Sequence, residues 1–537
     1  MRRGLRPVAF AIWLAAALPA AAQESPLADA AMRHDLAAVK TLVARQAAVD
    51  VAQGDGATAL HWAAYHGDAE MTRVLLAAGA SPSATTRLGG LTPVMMAARA
   101  GEAAVLALLV DAGGDAVGAN ANGTTPLMFA AGAGSVAAVT LLVARGADVN
   151  AAERTHGQTA LMFAAAEGRD AAVAALLARQ ANPNAVTRVS PIITMGARYK
   201  AQTGGKGTRE ITSEGGRSDI DAMGGMTALH FAAREGHAAV VRALVAGGAD
   251  VNLVQGADAL SPLTMAIVNG RLDIARWLLD HGADPNLVAK SGVGPLWATV
   301  DARWPERTWY PPASVADEAT THLELLDALL ARGADPNARL VRKPWYRTFH
   351  GDWVDPSGAS PFWLAAKAND VEAMRLLAAA GANPNLPTSR GVTPLQVAAG
   401  YGLEPQVTNV KPDARLAAVR YLVEDLSADV NARDSQGYTP LHGAALTADH
   451  ALIGYLVAMG ADVTARATNV FGGENQADRD AGRDQGDTVA DMANGPRAHS
   501  MQFPETVAFL EALGSKNSNN CRYATCVVPT LPSDKKQ

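Results

Sequence analysis

The chain is poor in the features that would place it in several common classes. Cysteine occurs twice in 537 residues, at Cys521 and Cys526, so no disulfide framework can staple a core. The pair is neither CxxC nor CxxCH, so it carries no signature of a redox or haem site. Aromatic residues make up only 5% of the chain, while alanine is frequent, a balance that suits helices packed closely through small side chains. Positive charge is not in excess, and the net charge of −6 disfavours a nucleic acid or an anionic membrane as partner. Beyond the first 22 residues there is no long uncharged apolar run, hence no expected membrane span and no membrane partner for the processed chain.

Those first 22 residues read as a secretory signal peptide. Arg2, Arg3 and Arg6 form a basic start, Val8 to Leu18 an apolar run, and Ala20-Ala21-Ala22 a small-residue cleavage site before Gln23. The run is too short to span a bilayer. The expectation is an exported protein, periplasmic or secreted. In such an oxidising compartment Cys521 and Cys526 are expected to form a disulfide closing a small loop.

The length exceeds what one ordinary core serves, and a repeated phrase resolves the difficulty. It reads TALHWAA at Thr58, TPVMMAA at Thr92, TPLMFAA at Thr125, TALMFAA at Thr159 and TALHFAA at Thr227. It returns as SPLTMAI at Ser261, SPFWLAA at Ser360, TPLQVAA at Thr393 and TPLHGAA at Thr439. A second phrase of the type LLVARGADVN follows most copies. Within one unit, Thr125 caps a short helix with Pro126 at its first position, and Gly134 ends it. Ser135 caps a second helix carrying Val139, Leu141 and Leu142, and Gly146 ends that one in the left-handed region. Asp148 and Asn150 lead into a tight turn. Neither helix buries its apolar face alone, so the units must stack.

These motifs resemble the ankyrin repeat family, over about residues 26–514. The resemblance implies an all-α ankyrin-repeat solenoid of about a dozen helix-turn-helix units. It covers 23–514 of the expected organisation, between a signal peptide (1–22) and a polar tail (515–537). Pro26 to Asp50 is expected to be a capping repeat, and Gly294-Pro295-Leu296-Trp297 opens a degenerate one. His61, His230 and His442 fall where the family places a structural histidine, so they are not expected to bind metal.

Five stretches break the period: 185–224, 303–322, 338–357, 403–415 and 466–485. The first contains Gly205-Lys206-Gly207-Thr208, too interrupted for a phosphate loop. Two others are aromatic, RWPERTWYPP from Arg303 and KPWYRTFHGDWV from Lys343. Their anchor points lie one helix apart, so they leave opposite edges yet border one small region. Trp304, Trp309, Tyr310, Trp345, Tyr346 and Trp353 have the composition of a binding hot spot, or they fold back to cover helix ends. By the resemblance, residues before each helix-ending glycine face the concave surface. Tyr65, His66, Arg99 and Arg234 are therefore further candidate partner contacts.

No catalytic constellation, metal set or cofactor motif is apparent. The expected function is a non-enzymatic scaffold for a protein partner in the periplasm or outside the cell. One alternative is a small-molecule binder or enzyme with the aromatic loops as a lid. Another is an inhibitor or stabiliser of one exported enzyme.

Overall fold

A computed structural model describes residues 25–191, 222–306, 314–344, 346, 354–403, 408–411, 413–468, 486–494 and 502–518. The chain divides into two compact units, meeting in sequence at Asn182 and Pro183. Both are built from the same helix pair, and the reason is local.

Thr125 is extended (φ −93°, ψ 161°), and its hydroxyl accepts from the Met128 N–H, which starts the helix Pro126–Ala133. Gly134 stops it at φ 82°. Ser135 then caps Val136–Ala144, whose end is closed by Gly146 at φ 91°. A side chain is strained at both glycines, which is why the phrase keeps them.

In the first unit five such pairs stack. They are Pro26–Met32 with Leu36–Ala44, Ala59–Tyr65 with Ala69–Ala77, and Pro93–Ala100 with Ala103–Asp111. Pro126–Ala133 with Val136–Ala144 and Ala160–Ala166 with Asp170–Leu177 complete it. The second unit holds seven. The first four are Ala228–Glu235 with Ala238–Ala246, Pro262–Val268 with Leu272–Asp280, Pro295–Arg303 with His322–Ala331, and Pro361–Lys367 with Val371–Ala379. The last three are Pro394–Ala398 with Arg415–Arg420, Pro440–Ala445 with His450–Ala458, and Val489–Ala493 with Pro504–Ala512. Twelve pairs among the described residues match the dozen expected. Strand structure among them is confined to isolated bridges and a ribbon, Ser190–Pro191 against Ala222–Met223, at the base of the 185–224 insertion.

One departure shows how an extra residue is absorbed. From Val419 to Ala428 the chain has one residue more than from Val139 to Ala147. The second helix there widens into a π-helical turn, Tyr421–Asp425, and closes with Ser427 at φ 55°.

Leucines and alanines of the first helices fill the interior: Leu60, Ala63, Ala64, Leu127, Ala130, Ala131, Leu441 and Ala444 are fully buried. Backbone polar groups join the units' repeats at the other side. Asn252 donates to the Gly282 carbonyl of the next repeat (3.0 Å) and accepts from the Asp284 N–H (2.8 Å). Asn286, Asn337 and Asn431 make the same pair of bonds to Gly333 and Asp335, Gly381 and Asn383, and Gly460 and Asp462. The turn tips are linked as well: in the second unit the N–H of Lys290, Val341, Ser389, Ser435 and Thr468 each donates to a carbonyl of the preceding tip. No helix among the described residues is long and apolar enough to cross a membrane.

Candidate functional site

Among the titratable groups set deepest in the stack are histidines of the repeated phrase. His230 is fully buried. Its Nδ1 accepts the Thr227 backbone N–H (3.2 Å) and lies 2.8 Å from the Thr227 hydroxyl, while Nε2 stands 3.0 Å from the Leu260 carbonyl of the next repeat. Since Nδ1 accepts, the ring's proton sits on Nε2 and donates to that carbonyl. His61 and His442 repeat the arrangement toward Leu91 and Asp487. Burial pushes all three pKa values down, against the opposing carbonyl bond, to about 4 for His230 and His442. A neutral ring with both nitrogens engaged is a joint between repeats, not a metal ligand. Among the described residues no three potential ligands cluster.

The expected concave positions are surface residues at first-helix ends. Tyr65 is 47% exposed and packs edge-on to Trp62 at 5.9 Å between ring centroids. His66 stacks on His34 at 4.9 Å and lies 3.0 Å from the Met32 carbonyl. Arg99 is exposed at the end of Pro93–Ala100. Tyr65 and His66 adjoin, with ring centroids 5.4 Å apart, and Arg99 takes the Tyr65 position on the first helix of the next repeat. In the second unit Arg234 pairs with Glu235 (2.7 Å) and lies over Phe231 at 5.2 Å.

Of the two readings the sequence leaves for Trp304, an exposed anchor or a ring folded back over helix ends, its placement fits the second: it is 9% exposed, with Arg303 over its ring at 4.1 Å. Its indole N–H donates to Asp370 Oδ2 at 2.7 Å, and His322 Nε2 meets the same oxygen at 2.8 Å. Asp370 Oδ1 caps the helix Val371–Ala379 through the Ala373 N–H. Burial raises the Asp370 pKa, but the His322 and Trp304 bonds outweigh it and hold the value at about 2. One carboxylate thus fastens both ends of the 303–322 insertion to the following repeat. Trp304 is a packing element, because the insertion's first turn folds inward to reach that acceptor.

A shallow recess beside it is lined by Trp297, Trp304 and Trp363, with Glu306 and Lys367 paired at 2.9 Å. Lys343, Pro344 and Pro356 from a second insertion and Thr408 and Asn409 from a third complete it. Three insertions therefore meet at one place. The enclosed space is about 40 Å³, room for on the order of three waters rather than a metabolite. Trp363 occupies the histidine position of its repeat, and its N–H reaches the Val392 carbonyl at 3.1 Å. Trp297 occupies the same position, yet its buried Nε1 has no acceptor among the described atoms. Tyr346 is half-buried nearby in sequence. Trp309, Tyr310, Trp345 and Trp353 lie outside the described residues, as do the signal segment, the 205–208 loop, Cys521 and Cys526.

Comparison with known proteins agrees with this geometry. Models described as ankyrin repeats match residues 27–118, 94–187, 207–289 and 410–457, and a single ankyrin repeat matches 357–389. Together they span more than half of the chain. Alpha-latroinsectotoxin-Lt1a of Latrodectus tredecimguttatus is 35% identical over 107 residues, 20% of this chain and 7% of the toxin. NF-kappa-B inhibitor delta of Mus musculus is 38% identical over 102 residues, 19% of this chain and 28% of the inhibitor. An ankyrin repeat protein of Rickettsia felis is 34% identical over 129 residues, 24% of this chain and 52% of that protein. The chain thus spans less than two thirds of each of these relatives. Matched models along its length, helix pairs stacked within each unit and histidine joints between repeats agree: the chain belongs to the ankyrin repeat family.

Proposed function

We propose that the chain is an exported, non-enzymatic scaffold that holds a protein partner in the periplasm or outside the cell. An ankyrin array is a protein–protein interaction domain, which is the general part of this reading. Export rests on the basic start, apolar run and Ala20-Ala21-Ala22 of the sequence. The observation that carries a binding role is the exposed Tyr65 ring beside the His66 imidazole, with the exposed Arg99 at the Tyr65 position of the next repeat. Such side chains give large contact area with little entropy loss, and they are enriched at interface hot spots.

The test is capture. Full-length protein is expressed with its first 22 residues intact, and the exported fraction is purified by a C-terminal tag. A stoichiometric protein in the eluate, lost on changing Tyr65 and Arg99 to Ala without loss of helical signal, supports the reading. Chain retained in the cytoplasm with Met1 in place would remove export; capture unaffected by the substitutions would remove these residues.

A further inference from the structure

The 303–322 insertion is clamped to two different repeats. Its near end is tied to the following repeat through Trp304 and Asp370. Its far end folds back on the preceding repeat, at the start of the helix Leu272–Asp280. There Glu318 accepts the Asp273 N–H at 2.8 Å, and the Asp273 carboxylate accepts the N–H groups of Ala319 at 3.0 Å and Thr320 at 2.7 Å. Residues from both ends line an open cleft of about 500 Å³, distinct from the small recess beside Trp297 though Asn409 borders both. Clefts of about 300–1,000 Å³ are of the size that takes small molecules.

The lining is amphiphilic. Leu272, Ala302, Pro305 and Val315 supply apolar wall, and Arg303, Thr321, His322 and Asn409 supply polar groups. The carboxylates of the neighbourhood are already engaged. Asp273 and Glu318 hold the clamp, and Glu324 accepts the Thr321 N–H at 2.8 Å and its hydroxyl at 2.9 Å. Asp370 serves Trp304 and His322, and Glu306 pairs with Lys367. Asp317 is exposed and takes no part in the lining.

Arg303 is the exception among the charges. It is exposed, and among the described residues its guanidinium meets only the Trp304 ring, with no carboxylate bonded to it. A guanidinium over an indole face keeps its charge, and its N–H groups point outward in its own plane, where they match the two oxygens of a carboxylate. Two helices add to the preference for an anion. Leu272 and His322 are the first residues of helices 9 and 10 residues long, so two positive dipole ends stand at the cleft.

We infer that this cleft binds a small organic acid with an apolar body, the carboxylate held by Arg303 and the body lying against Leu272, Ala302, Pro305 and Val315. Walls fixed by the clamp need little ordering when such a ligand enters. The site is independent of a protein partner held elsewhere on the array.

The experiment is a ligand-detected NMR titration of the full chain with acetate, hexanoate and 4-phenylbutyrate. Affinity should rise along that series as the body lengthens, reaching a dissociation constant on the order of 1 mM or tighter for the last, one site per chain. The uncharged 4-phenylbutan-1-ol has the same body and should bind roughly tenfold more weakly, the loss of one charge-assisted bond. Arg303→Gln should cost 4-phenylbutyrate a similar factor, and Arg303→Lys, which keeps the charge without the planar fork, less. Ala316→Glu sets a negative charge on an exposed residue of the lining and should weaken the acid but not the alcohol. Circular dichroism and melting of each variant report the fold. The inference is overturned by no saturable binding of any of the three acids up to about 10 mM, or by the alcohol or 4-phenylbutylamine binding as tightly as the acid. Undiminished binding by folded Arg303→Gln and Ala316→Glu variants overturns it equally.

Discussion

Acid should loosen the second unit through His230 and His442, and the molecule supplies its own control. Both folded pKa values are near 4, against 6.5 for a free imidazole. Between those values the unfolded chain binds more protons than the folded one, so stability rises with pH. It is fully present above about 6.5 and is lost as pH falls toward 4. At about pH 5 each ring should cost about 2 kcal/mol relative to neutral pH, and about 3 kcal/mol once folded rings titrate. The cause is geometric: a proton on Nδ1 of His230 would point at the Thr227 N–H that this nitrogen now accepts. Gln396 fills the same position in its own repeat without titrating. Its carbonyl accepts the Thr393 N–H at 2.6 Å, and its amide donates to the Tyr438 carbonyl at 2.7 Å. The double variant His230→Gln/His442→Gln should therefore cost about 1–2 kcal/mol per site at neutral pH. It should also flatten the fall of the urea midpoint between about pH 6.5 and 5. A variant as acid-sensitive as the parent, or ring protons of His230 titrating near 6.5 in the folded protein, would refute the reasoning.

Other expectations follow from single contacts. Gly146→Val should cost about 1–2 kcal/mol by urea melting, from the left-handed backbone alone, since nothing lies within 4 Å of an added Cβ. Trp304→Ala should lower stability by about 3–5 kcal/mol, because it empties a buried aromatic site; an unchanged melting temperature would return Trp304 to the surface. Asp370→Ala removes a helix cap and the acceptor shared by Trp304 and His322, so a loss of at least about 2 kcal/mol is expected in the same assay. In exported, unreduced and denatured protein, Cys521 and Cys526 should resist alkylation, and reduction should leave the melting temperature nearly unchanged, because the closed loop is short.

The repeat was legible because each of its signals is local. Thr125, Pro126, Gly134, Ser135 and Gly146 each act on their own few residues, so spacing alone predicts the helix pair. His61, His230 and His442 were legible as structural through the family resemblance, which places a histidine three residues after the capping threonine. Trp304 was not. Its acceptor Asp370 lies 66 residues away and looks in sequence like the other capping aspartates, Asp68 and Asp449. Nothing in composition separates a tryptophan that finds such a partner from one left in solvent. The meeting of three insertions at one recess was half visible, in the short helix between two of them.

The paired bonds of Asn252, Asn286, Asn337 and Asn431 have a consequence for how such a chain changes over generations. Each asparagine addresses only main-chain atoms of its neighbour, and each of these four neighbours offers the same carbonyl and the same N–H. The coupling is indifferent to which side chains the neighbour carries. A whole repeat copied in, or cut out, at these seams finds matching atoms on both sides. The length of the array is thus free to drift by whole units, while any fraction of a unit leaves asparagines facing the wrong atoms.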